Sequence, residues 1–177
     1  MRYRLLILAS LALLALTATA AALASNLTAT ANVSGTAGIS FSLPSNPSFS
    51  DTLDGSDQLV SYAPVLGIVD ARGSGAGWNI SMSATAFDDG SGHTFAAGSV
   101  SAVSQACHSG SSCTGATTSG ITYPLALSTT AAKVFNAASD TGMGKVDITP
   151  TVDVTVPGNA YAATYTSTVT LAAATGP

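Results

Sequence analysis

An all-β fold, an antiparallel β-sandwich with an Ig-like or jelly-roll-like layout, is what this sequence predicts. Three observations point there. Near the C-terminal end Val146, Ile148, Pro150, Val152, Val154 and Val156 alternate strictly with Asp147, Thr149, Thr151, Asp153 and Thr155. That period of two means one buried and one wetted face. The same alternation recurs upstream in short runs separated by Gly, Pro, Ser and Asp turns, as in sandwiches and barrels. Beyond the first two dozen residues no stretch carries sustained helical periodicity.

The N-terminus stands apart from that pattern. Met1-Arg-Tyr-Arg4 is a short basic region, Leu5 to Leu16 is apolar, and Ala22-Leu23-Ala24 is an A-x-A cleavage signal before Ser25. This is the build of a secretory signal peptide. Its apolar run of about twelve residues is shorter than the roughly 20 needed to span a bilayer. The expected division is a signal peptide at 1–24 and a single domain at 25–177. No Cys follows the apolar run, so no lipid anchor is expected. No apolar segment follows the last strand, so retention at a surface is expected to be non-covalent.

Loss of the signal leaves Arg72, Lys133 and Lys145 against nine Asp and no Glu, a formal net charge of −6. Such a surface argues against nucleic acid, whose phosphates demand Lys and Arg, and against docking on anionic lipid. Roughly 150 residues can bury a sizeable core.

The strands follow in order. Leu27, Ala29, Ala31 and Val33 alternate with Thr28, Thr30, Asn32 and Ser34, and Ile39, Phe41 and Leu43 with Ser40 and Ser42. Asp51, Asp54 and Asp57 in "DTLDGSD" raise a calcium site, since calcium takes carboxylate oxygens. Their spacing is not that of an EF-hand, and Asp54-Gly55 is a plain turn signal. Val65 to Val69 is a short apolar strand. Trp78, Ile80, Met82 and Ala84 alternate with Asn79, Ser81, Ser83 and Thr85. Phe95, Val100 and Val103 mark weaker strands, and Tyr123 to Leu127 another. Thr129 to Phe135 is a strand or a short helical turn. Pro150, lacking an N–H, suits an edge or a bulge. Pro157-Gly158-Asn159 turns the chain, and Tyr161, Tyr165, Val169 and Leu171 share one face of a last strand. The final two strands are expected to form a hairpin.

Cys107 and Cys113 flank a five-residue loop. A disulfide is the default for two Cys in an exported protein. Closing so small a loop stabilises by roughly 2 kcal/mol in the chain-entropy model. A zinc site from Cys107, Cys113, His108 and His93 has the right ligand types but no recognised spacing.

Catalytic signals are weak. The two histidines, His93 and His108, lie in Gly/Ser-rich loops, and no G-x-S-x-G elbow sits on a strand-to-helix turn. Asp88-Asp89 reads as a solvated turn with Gly90 rather than a glycosidase pair. No enzyme activity, cofactor or metal is expected.

"DARGSGAGWNIS", residues 70–81, is the most unusual stretch. It holds the sole Trp and three of the seventeen Gly. Glycines at every second position admit positive φ and close backbone approach. One reading is a hairpin with Trp78 as a core anchor and Asp70–Arg72 as a surface pair. The other is a Trp beside an accessible loop, ready for a polysaccharide ring. Trp78 is expected to be substantially buried in either case. Arg72, Trp78, Asn79 and Ile80 are the candidate binding residues.

"VDARGSGAGWNISMSATAF" (69–87) closely resembles the segment around the first Trp motif of WxL-domain proteins, exported bacterial surface domains that associate with the cell wall. The likeness extends upstream through "TLDGSDQLVSYAPVLGIVDARG" and down to "GNAYAATYTSTVTLAAATGP", covering roughly 27–177 unevenly. Trp78-Asn79-Ile80 stands at the W-x-L position, with Ile for Leu. A second, distal W-x-L is typical of the family. Here Tyr165-Thr-Ser-Thr-Val-Thr-Leu171 occupies that region, so the chain resembles a single-motif member. The resemblance implies non-covalent attachment to peptidoglycan. The rival expectation is self-association or assembly with other surface proteins, in which Ser25 to Val33 lends a strand to a neighbour through main-chain hydrogen bonds.

Overall fold

The computed structural model of the chain describes residues 29–36, 38–116, 118 and 120–177. The expected signal peptide at 1–24 lies outside them. The chain divides into two compact units, Met1–Asn32 and Val33–Pro177, and the strands below belong to the second.

Eleven strands are found among the described residues and no helix: β1 Ile39–Ser42, β2 Gln58–Tyr62, β3 Leu66–Asp70, β4 Trp78–Ala84, β5 Phe87–Asp88, β6 Thr94–Phe95, β7 Ser99–Cys107, β8 Leu125–Ala126, β9 Ala132–Ala137, β10 Gly144–Val156 and β11 Val169–Thr175. Every pairing between them is antiparallel. One sheet runs β1-β3-β10-β7-β8, with β2 also on β10; a second runs β11-β4-β9; β5 and β6 form a small ribbon. The six- and three-stranded sheets bury a common core. Its members include Leu66, Ile68, Val146, Ile148 and Val152 from the larger sheet and Trp78, Ile80, Met82 and Phe135 from the smaller. The fold is the β-sandwich that the alternation predicts.

Each sheet has one long central strand, and each buries alternate residues. In β10, Val146, Ile148, Val152 and Val154 are at most 1% exposed. At about 3.3 Å per residue β10 spans about 40 Å, enough for two partners along one edge. Gly144 to Ile148 pair with β3, and Val152 to Val156 pair with β2. Pro150 falls in the gap between those two ladders. It also lies next to the bulge at Thr151/Val152 opposite β7. A residue without an N–H is tolerated there because no ladder bond is lost. In β9 a second register shift, opposite Ile80/Ser81, inserts Val134. The extra residue explains why Val134 and Phe135, neighbours in sequence, are both buried.

Three expectations need correction. β10 and β11 are not a hairpin. They lie in different sheets, and residues 157–168 carry the chain across, pinned by the bridge between Asp88 and Thr166. β3 and β4 also belong to different sheets, so residues 71–77 form an inter-sheet crossing rather than a hairpin turn. Residues 29–34 are exposed and outside any strand, and residues 27 and 28 of that expected strand lie outside the described residues. Of the two readings of Thr129 to Phe135, the strand is the one found, as β9. β2 was not foreseen: its exposures alternate only between intermediate and exposed, because it adds a short flank to β10 rather than a wall of the core.

The disulfide between Cys107 and Cys113 is formed, with Cα atoms 5.5 Å apart, closing the loop that follows β7. Among the described residues there is no helix long and apolar enough to cross a membrane.

Candidate functional site

The crossing from β3 to β4 is built from the unusual stretch. Gly73, Gly75 and Gly77 have φ of 68°, 63° and 68°, as their spacing predicts. At Gly77 a Cβ would lie 2.4 Å from the carbonyl oxygen of Ala137, so only glycine fits this positive-φ position.

Asp70 ends β3, and Arg72 folds back onto it. Arg72 Nε donates to Asp70 Oδ1 and Nη2 donates to Oδ2, both at 2.8 Å. Nη2 also donates to the Gly77 carbonyl at 2.7 Å. The pair is not at the surface: the Arg72 and Asp70 side chains are 8% and 1% exposed. Hydrogen bonds from the Arg72 side chain hold the Asp70 carboxyl below the usual carboxylate range.

Trp78 opens β4 and is fully buried, with its ring tilted against Phe135 at 5.7 Å. Its indole N–H donates to the Gly142 carbonyl at 2.9 Å. Asn79 Nδ2 donates to the Gly176 carbonyl at 2.7 Å, and the Gly176 N–H donates to the Gly77 carbonyl. Ile80 is 0% exposed. The four candidate residues are therefore brought together, but as a clasp. They tie the end of β3, the start of β4, the turn before β10 and the end of β11. Neither the Trp78 ring nor Ile80 is presented to a ligand.

Gly142 completes the clasp. Its φ is 70°, and a Cβ there would sit 2.6 Å from Trp78 Nε1. Gly142→Ala is expected to lower stability by about 2–4 kcal/mol, from left-handed strain together with overpacking. Chemical denaturation of the variant checks this.

The other candidates have local duties. Asp54 Oδ1 accepts from the Ser56 N–H and hydroxyl, Asp51 caps Thr52, and Asp57 accepts from the Gly158 N–H at 3.0 Å. His108 Nδ1 faces Asp147 at 2.9 Å. The sulfurs of Cys107 and Cys113 are used in the disulfide, which leaves no thiolate for zinc.

At the opposite end of β4, about 20 Å from Trp78 at strand rise, lies a feature that sequence reasoning missed. Rings pack there in succession: Tyr62 on Phe49, Phe49 on Phe87, Phe87 on Phe95 and Phe95 on Tyr165, with centroids 4.8–6.2 Å apart. Beside them a groove of about 200 Å³ is lined by His93, Thr94, Phe95, Pro157, Asn159, Ala160, Tyr161 and Tyr165. Tyr161 stacks on His93 at 3.7 Å and 20°. His93 Nδ1 lies 2.6 Å from Asp89 Oδ2, whose side chain is 4% exposed. That contact with the His93 side chain is the main cause holding the Asp89 carboxyl below its usual range. The available signal was two tyrosines shortly after a Pro-Gly-Asn turn in a chain only 6% aromatic.

The family model for the WxL domain, described as surface cell wall-binding, matches residues 22–177. The chain belongs to the WxL domain family. No curated protein and no solved structure matches it. This WxL domain is accordingly a cell-wall-binding domain of the cell surface, and its Trp78 is held inside the sandwich.

Proposed function

We infer that this WxL domain is exported by its first 24 residues and acts without catalysis, holding non-covalently to the peptidoglycan of a bacterial cell wall. The match to the wall-binding family over residues 22–177 carries this reading. Charge supports it: three Lys/Arg against nine Asp after the signal give little purchase on phosphate-bearing polymers. In this reading Arg72, Trp78, Asn79 and Ile80 contribute by fixing the 71–77 crossing and the strand ends around it.

Co-sedimentation of the protein, purified as exported, with isolated peptidoglycan tests the proposal. N-terminal sequencing of the same sample should begin at Ser25. The expected result is saturable pelleting with the wall and a monomer in its absence. Growth of large particles without wall material, combined with no pelleting, would instead favour strand addition. The exposed, strand-free residues 29–34 are the observation behind that second reading.

A further inference from the structure

The geometry points to the groove at Tyr161 as the subsite that takes the wall's glycan strand, one neutral hexopyranose ring lying on the Tyr161 face. This rests on the wall-binding reading and names the place and the ligand class. Tyr161 is 63% exposed, far more than a ring placed for packing requires. It is nonetheless held still: His93 stacks beneath it, and the nearly covered Asp89 carboxylate fixes His93. The Tyr165 hydroxyl donates to the Tyr161 carbonyl at 3.2 Å, securing the backbone as well. A fixed aromatic face with negative quadrupole suits the C–H edges of a sugar ring, and pre-ordering limits the entropy lost on binding. Asn159 and Thr94 line the same groove. They supply the few polar partners that orient a ligand in such a site. No Lys, Arg or Asp lines it, so its chemistry favours an uncharged glycan over a phosphate-bearing wall polymer.

The test compares the exported protein with its Tyr161→Ala and Tyr161→Phe variants. Each is titrated with peptidoglycan sacculi stripped of anionic polymers and, in parallel, with intact walls. Because Tyr161 is largely exposed, truncation opens no core cavity, and melting temperatures should be unchanged. Tyr161→Ala is expected to bind stripped sacculi roughly three- to tenfold more weakly, the scale of one lost ring-stacking contact. Tyr161→Phe should bind within about twofold of the parent, because it keeps the ring face. If the parent pellets and Tyr161→Ala pellets equally, the subsite is overturned and wall binding stands. If the parent pellets only with intact walls, the assignment to the glycan strand is overturned. If it pellets with neither, the subsite and the wall-binding reading fall together.

Discussion

Trp78→Ala is expected to destabilise the domain by about 3–5 kcal/mol, the range for truncating a large buried aromatic residue. The ring is fully buried between the sheets, and its loss removes the contact with Phe135. It also leaves the Gly142 carbonyl without its indole donor. Trp78→Phe separates these contributions. It keeps an apolar ring but orphans that carbonyl, and should cost about 1–3 kcal/mol. Urea unfolding of both variants checks the order. Wall binding by Trp78→Ala should fall only in proportion to the unfolded fraction, because the ring is fully buried in the core.

The second large effect belongs to the buried Asp70–Arg72 pair. Asp70→Ala leaves a nearly covered guanidinium without its carboxylate and is expected to cost about 3–5 kcal/mol. Replacing both residues by apolar ones should cost much less than the two single changes together, since neither charge is then stranded. The pair also predicts acid sensitivity. The folded-state pKa of Asp70 is depressed, so its contribution is fully present above the unfolded carboxylate value of about 3.9. It is lost as pH falls below that value and through the lower folded one. Asp54 and Asp89 are held low as well, chiefly by side-chain hydrogen bonds with Ser56 and His93. The Asp70→Ala variant should therefore keep part of the acid dependence in denaturation curves below pH 4, and lose the part due to Asp70.

The strands that build the core walls were legible in the sequence because each must hide one face. β4 matches the alternation from Trp78 to Ala84 at both ends. β10 lies within two residues of its expected start and ends at Val156 as read. Sheet membership was not legible, because alternation specifies which face is buried and says nothing of which edge is paired. A Pro-Gly-Asn turn after β10 reads as a hairpin, yet nine further residues, Ala160 to Thr168, precede β11, enough to carry the chain to the opposite sheet. The Trp78 segment was recognisable as special from its glycines, and the resemblance to WxL domains on those residues agrees with the family match. Its burial, which no local pattern states, makes it a clasp between strand ends. The aromatic groove escaped notice because its parts come from β6 and the 157–168 connection, some 65 residues apart in the chain, and only the fold joins them.

The central claim is that Trp78 serves this WxL domain from inside the sandwich. Trp78 is the only tryptophan, so acrylamide quenching of its fluorescence tests the claim directly. The measurement is made on the purified protein, free and then saturated with soluble peptidoglycan fragments, with saturation verified calorimetrically. The account predicts weak quenching in both states, unchanged by the fragments. Strong quenching in the free protein that disappears on saturation would place the indole against the glycan and contradict it.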